Sequence, residues 1–219
     1  MTRAEDSSTK SEHLFEKFCD RHGIDCQPIP RAVPKTPDYE IVLAGHTVVT
    51  EVKQLNRNKE DDELWARARR CGSASGWSLP GRRVRYKIGE SGKQLKARAK
   101  GVHPALLVLY DNGSFGGTDY TDIKTAMYGD EKAVVSLGDE SVNVTAIHAG
   151  GGRKCTKSCN TSISAIGLLC CCGEEARLLI FHNHFAAIPL NPDWLRLDSV
   201  QQFTLDPTDL TADYAWVSI

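Results

Sequence analysis

Three charged side chains in the first quarter of the chain have the types and spacing for phosphoryl chemistry: Asp38, Glu51 and Lys53. They lie in Pro37-Asp38-Tyr39-Glu40-Ile41-Val42-Leu43-Ala44-Gly45-His46-Thr47-Val48-Val49-Thr50-Glu51-Val52-Lys53, which reads as a β-hairpin. Ile41, Val42 and Leu43, then Thr47, Val48, Val49, Thr50 and Val52, are strand formers, mostly β-branched. A two-residue turn at Ala44-Gly45 sets Leu43 against His46 and, counting outward, Asp38 against Glu51. Directly opposed residues share one face of the pair, about 4.5–5.5 Å apart. Side-chain alternation keeps Lys53 on the Glu51 face and turns Val52 to the other.

Two carboxylates that close repel unless a positive charge separates them. A divalent cation, Mg²⁺ with Mn²⁺ as a substitute, takes one or two protein carboxylates and fills its shell with water and phosphate oxygen. Such an ion polarises a phosphoryl oxygen and makes hydroxide from bound water, while Lys53 orients the nucleophile or neutralises developing charge. The plainer alternative for the same residues is a surface hairpin with one Glu/Lys ion pair.

The elements that must position this trio follow from periodicity and punctuation. Residues 1–9 read as a frayed polar tail. Leu14, Phe15, Phe18 and Cys19 form one stripe of a helix over about 10–22, ended by Gly23. Ile24 to Pro34 holds three prolines and reads as an irregular or edge segment. After the hairpin, Glu60 to Arg70 predicts a helix with acids in its first turn and arginines in its last. Residues 72–76 make a flexible loop. A further helix is expected over about 85–100, with Ile88, Leu95 and Ala99 inward and Lys93, Lys96, Arg98 and Lys100 outward. The run Ala105-Leu106-Leu107-Val108-Leu109-Tyr110 suits a buried central strand. A crossover from hairpin to this strand makes the two parallel in one sheet.

The second half is plainer. Thr121 to Tyr128 predicts a short helix stopped by Gly129. Strands are expected at 133–137 and 142–147, strands or buried segments at 162–172 and 177–182, and a terminal strand at 215–219.

Charge adds a second signal. The net charge is −1, but residues 1–110 hold 20 Lys/Arg against 14 Asp/Glu and residues 111–219 hold 7 against 14. Between Trp65 and Lys100 stand 11 basic residues and one acid, Glu90. That density, directly after the carboxylate hairpin, is the footprint of a phosphate-contacting surface. Arg67, Arg69, Arg70, Arg82, Arg83, Lys87, Lys96 and Lys100 are the candidate contacts. No apolar run reaches transmembrane length and the N-terminus has no signal core, so a cytoplasmic protein with no membrane role is expected. In that compartment the eight cysteines read as reduced thiols.

Pro37-Asp38 followed by Glu51-Val52-Lys53, in a helix–hairpin–helix–strand order over residues 10–112, resembles the PD-(D/E)XK nuclease superfamily. The resemblance implies a restriction-endonuclease-like α/β fold over 10–115: a mixed sheet flanked by helices. Residues 116–219 lie outside it and read as a β-rich extension that adds to the same sheet and domain, covers an edge or makes a partner surface. It implies that Asp38 and Glu51 hold Mg²⁺ and that Lys53 acts at the attacking water. It further implies a Glu on the first helix, Glu12 or, one turn on, Glu16. A Gln on the helix after the Glu-x-Lys strand is implied too, here Gln94. Gln54 follows Lys53 directly but points to the opposite face. The 29 residues between Lys53 and Arg83 exceed the minimal resolvase pattern. The expected activity is metal-dependent cleavage of phosphodiester bonds, most readily in DNA, with a homodimer as one assembly open to the chain. The alternatives are a catalytically silent nucleic-acid-binding module or a regulatory subunit.

Three other motifs carry less. In His182-Asn183-His184 three consecutive residues cannot spread over the ββα unit an HNH site needs; one buried and one exposed histidine at a strand end is expected. Cys155, Cys159 and Cys170-Cys171-Cys172 lack paired zinc-finger spacing, and neighbours on a strand alternate faces. Gly150-Gly151-Gly152-Arg153-Lys154 lacks the strand–loop–helix frame of a phosphate loop and reads as a turn.

Overall fold

The chain folds as an α/β protein around a mixed sheet, described by a computed structural model over residues 9–76, 79–137, 142–172, 175–208 and 215–219. The expected tail at 1–9 falls outside it except for Thr9. In chain order the elements are α1 (Lys10–Arg21), β1 (Asp25–Pro28), β2 (Tyr39–Leu43), β3 (His46–Asn56), α2 (Lys59–Cys71), α3 (Arg82–Ala99), β4 (Ala105–Asn112) and α4 (Tyr120–Tyr128). There follow β5 (Glu131–Leu137), β6 (Val142–Ala149), β7 (Ala165–Cys172), β8 (Glu175–His182), a 3₁₀ turn (Pro192–Leu195), β9 (Val200–Thr204) and β10 (Val217–Ser218).

Eight strands form one sheet in the order β1-β2-β3-β4-β7-β8-β9-β10, and β5 and β6 pair separately. The hairpin register is the one expected: Leu43 faces His46 and Tyr39 faces Thr50. Ala44 and Gly45 both take positive φ, 48° and 82°, as a mirror-image two-residue turn demands. The crossover through α2 and α3 returns the chain parallel to β3, with Glu51 beside Leu107 and Lys53 beside Leu109. Ala105 to Tyr110 of β4 is buried throughout because helices cover both faces of the sheet there.

The two faces have separate cores. Phe15, Phe18 and Cys19 of α1 pack with Tyr39, Ile41, Val48, Val52, Leu106 and Val108. On the other face Val84, Ile88, Leu95 and Ala99 of α3, with Ile123, Ala126 and Met127 of α4, pack with Val49, Leu55, Leu107 and Leu109. The second half completes the same sheet, since β7 runs parallel to β4 from Leu106↔Ala165 to Tyr110↔Leu169. β9 is a strand that periodicity does not announce. Val200-Gln201-Gln202-Phe203-Thr204 is mostly polar, and it is made a strand by parallel pairing to β8.

Helix α3 starts at Arg82, three residues before its sequence pattern suggests. Its N-cap, Gly81, has φ 70° and no capping side chain. Asp122 of α4 takes over: its Oδ1 accepts from the Gly81 N–H at 2.6 Å. A Cβ on Gly81 would lie 2.7 Å from the Asp122 carbonyl, so glycine alone fits. α2 is capped by Asn58 and Asp61 in a reciprocal box and sits past the carboxyl ends of β3 and β4. There Asp61 accepts from the Phe115 N–H at 3.0 Å and Trp65 Nε1 donates to the Gly113 carbonyl at 3.1 Å.

Candidate active site

The strand ladder begins at Tyr39, and one step outward Asp38 stands at the level of Glu51. Asp38 is fastened there by its own carboxylate: Oδ2 accepts from the Val52 N–H at 2.8 Å. Glu51 and Lys53 project from β3 to the α3 face, between Val49 and Leu55 of that core. The Lys53 ammonium is ion-paired with Glu51 Oε1. The structure therefore brings Asp38, Glu51 and Lys53 together.

Glu51 is wholly buried, and its second oxygen, Oε2, has no hydrogen-bond partner. It is the one such carboxylate oxygen among the described residues. Burial, and then the neighbouring Asp38 charge, push the Glu51 pKa above the usual carboxylate range; Lys53 offsets only part of this. Burial works against the Lys53 ammonium, but Glu51 and Asp38 outweigh it and hold its pKa above the ordinary lysine value. An orphaned carboxyl oxygen beside a second carboxylate is the environment a hard cation relieves, so Asp38 and Glu51 fit a divalent metal by donor chemistry. No third His, Cys, Asp or Glu joins them in a metal-holding group among the described residues, leaving water and substrate oxygen to complete any shell.

Lys35 belongs to the site and its sequence position does not announce it. Its ammonium lies 3.8 Å from Glu51 Oε1, at the exposed edge of the cluster. Burial and the facing Lys53 ammonium push its pKa below the ordinary lysine value, against the pull of Glu51 and Asp38. The one available signal is the turn segment Pro34-Lys35-Thr36-Pro37 next to Asp38, which brings the chain back over the site.

The other expected residues divide. Glu12 is not brought to the trio. It completes the N-terminal box of α1, with Oε2 accepting from the Thr9 N–H at 2.6 Å, and Oε1 lies 3.8 Å from Arg31. α1 packs on the sheet face opposite to Glu51, as alternation along β3 dictates. Glu16 accepts from the Tyr39 hydroxyl at 2.8 Å on that same face. Gln54 also points there, its Oε1 accepting from the Ser11 N–H at 3.1 Å. Gln94, in contrast, is buried on α3, which covers the Glu51 face, and its Nε2 has no partner; nor does the buried Ser91 Oγ one turn earlier. Glu90 on the same helix is held below the usual carboxylate range chiefly by Lys87, 2.8 Å away, and feels Lys53 as well.

Of the basic residues, Arg67, Arg82, Arg83 and Lys87 line a groove of about 1110 Å³ between α2 and α3, together with Glu60, Asp61, Glu63 and Asp122. Arg83 is committed to the fold: it pairs with Asp61 at 3.2 Å and donates to the Asn56 carbonyl. Arg82 is exposed in that groove. Arg69 lines a different pocket, past the end of β4. Arg70, Lys96 and Lys100 are solvent-exposed.

The discounted motifs settle into structural roles. His182 Nε2 lies 2.9 Å from Gln202 Oε1, and burial lowers its pKa. Asn183 is buried and donates to the Ile163 carbonyl at 2.7 Å, while His184 is part-exposed, 3.7 Å from Asp206. Cys155 is a buried thiol pushed up to about 12 by its burial. Cys19, Cys26, Cys71 and Cys159 are free thiols as well. The Cys172 side chain lies outside the described residues. No described helix is long and apolar enough to cross a membrane.

No family model, no curated protein and no solved structure matches this chain.

Proposed function

We propose that this protein is a metal-dependent nuclease of restriction-endonuclease-like fold that hydrolyses phosphodiester bonds, with DNA as the preferred substrate. The observation that carries the reading is the orphaned Oε2 of buried Glu51, set beside Asp38 and held from its other side by Lys53. A wholly buried core carboxylate with an unpartnered oxygen is a feature of functional sites rather than of stable hairpins.

Asp38 and Glu51 would hold Mg²⁺ or Mn²⁺, which when bound supplies charge neutralisation at the phosphate and a more acidic water. The chain's own residues do the rest. Val52 N–H fixes Asp38, so this carboxylate is positioned before substrate arrives. Lys53 carries its charge on the Glu51 face, where it can hold a water or offset charge on a phosphate oxygen. α3 closes that face and excludes bulk solvent from Glu51. Arg82 and Lys87 extend positive charge from the site along the α2–α3 groove.

A second reading is a catalytically silent nucleic-acid-binding module, or a regulatory subunit, of the same architecture. It is favoured by the engagement of Glu12 with the α1 cap, which leaves two carboxylates at the site. One assay separates them: incubation of circular, linear and single-stranded DNA with Mg²⁺, Mn²⁺ or EDTA. Metal-dependent cleavage that Glu51→Gln abolishes supports the enzyme. Binding with no cleavage in either metal supports the silent module.

A further inference from the structure

A pocket of about 480 Å³ lies past the carboxyl ends of β3 and β4, on the α1 side of the sheet. Lys10, Arg57 and Arg69 line it together with Trp65, Tyr110 and Asn112. Three cations and no acid are present among these lining residues, in contrast to the α2–α3 groove with its four carboxylates. Arg57 lies 3.7 Å from Asp62, which is 65% exposed, a pair that water and salt screen. Lys10 Nζ is 3.3 Å from Asn112 Oδ1 and 5.3 Å from the centre of the Tyr110 ring. Trp65 is fixed by its bond to the Gly113 carbonyl and by an edge contact with Phe115 at 5.3 Å, and it is half-buried.

Three clustered cations, with a screened Arg57–Asp62 pair as their acidic contact among the described residues, ask for an anion, and a pre-positioned indole beside them asks for a flat ring. We propose that this pocket seats one unstacked nucleotide of a single strand, its phosphate on Arg69, Arg57 and Lys10 and its base against Trp65. The inference rests on the nucleic-acid reading above. The volume suits a nucleotide, being near the low end of the roughly 300–1,000 Å³ of small-molecule sites. A base inside a duplex is covered by its neighbours above and below, so an aromatic wall in a pocket can engage only an unstacked one. Arg57 is the first residue beyond β3, the strand that carries Glu51 and Lys53 on its α3 face, whereas this pocket lies on the α1 side.

The test uses the full chain carrying Glu51→Gln, in EDTA, so that cleavage cannot deplete the probe. Binding of a fluorescein-labelled single strand of about 12 nucleotides, within the usual footprint of such sites, is compared with binding of a blunt duplex of equal length. Trp65→Ala should weaken single-strand binding about fivefold or more, the low end for loss of a base stack, and leave duplex binding unchanged. Trp65→Phe should keep most of the affinity. Arg69→Ala should weaken single-strand binding and reduce its salt slope by about 0.7, one phosphate on a single strand. Circular dichroism confirms that each variant is folded. If folded Trp65→Ala and Arg69→Ala bind the single strand like their parent, or lose single strand and duplex equally, the inference falls while the nuclease reading stands. If the parent binds neither probe, both fall.

Discussion

The Lys53 ammonium is paired with Oε1 of Glu51, two residues back on the same strand and pointing to the same sheet face. This pairing determines what each partner does without the other. Lys53 is mostly buried, with 13% of its side chain exposed, and Glu51 is not exposed at all. Replacing Lys53 by Met leaves Glu51 as a buried charge beside Asp38, so its already raised pKa climbs further. A carboxyl with a raised folded-state pKa binds its proton more tightly in the folded than in the unfolded chain. Stability is therefore greatest below the ordinary carboxylate range and falls as pH rises through the folded pKa. Lys53→Met should be near wild type in melting temperature at about pH 5 and destabilised by about 3 kcal/mol at about pH 8, the scale for breaking a buried pair. Thermal melts at the two pH values check this.

Metal binding should follow the same proton. Glu51 must ionise to bind, so Mg²⁺ affinity should rise with pH beyond the ordinary carboxylate range, and binding should release protons into the buffer. The melting temperature should rise with Mg²⁺ or Mn²⁺, equivalent to about 2.7 kcal/mol at a hundredfold excess over Kd. Glu51→Gln should blunt that rise. Removing the Asp38–Glu51 repulsion alone would stabilise this variant without metal. The structure adds the opposing loss of the Lys53 partner, so no gain in melting temperature is expected. Calorimetry in two buffers of different ionisation enthalpy measures the proton release.

Cleavage should depend on the trio as a unit. Asp38→Ala, Glu51→Ala and Lys53→Ala should each abolish it, with a double variant little worse than either single one. Glu12→Gln supplies the contrast. Because Glu12 caps α1 on the other face, the variant should lose up to about 1 kcal/mol of stability and retain cleavage. Loss of cleavage in folded Glu12→Gln would return Glu12 to the catalytic set.

Two adjacent arginines should separate by readout. Arg83 joins α3 to Asp61 and to the Asn56 carbonyl, so Arg83→Ala should cost about 1–3 kcal/mol in urea melts, the scale of a lost charged hydrogen bond. Arg82, exposed in the groove, should leave stability unchanged when replaced by Ala. Its loss should flatten the salt dependence of duplex binding by about 0.9, one phosphate contact. An unchanged slope for Arg82→Ala would remove Arg82 from the nucleic-acid surface.

Local physics made the hairpin legible in the sequence. A two-residue turn admits one register, and that register with strict alternation along β3 sets Asp38, Glu51 and Lys53 on one face before any tertiary contact is considered. The buried run at 105–110 likewise announced a central strand, because only a strand covered on both faces tolerates continuous apolar residues. What tertiary structure alone decided are the relations between elements distant in the chain. The side of the sheet to which α1 docks separates Glu12 from the trio, and one helix carries apolar residues that could cover either face. The path of residues 31–37 brings Lys35 onto Glu51 through a prolyl segment with no periodicity to read. β9 is a strand because β8 offers it an edge, and the start of α3 is set by Asp122, some forty residues later. The Lys10–Trp65–Arg69 pocket draws on α1, α2 and the end of β4, which only the folded sheet brings together.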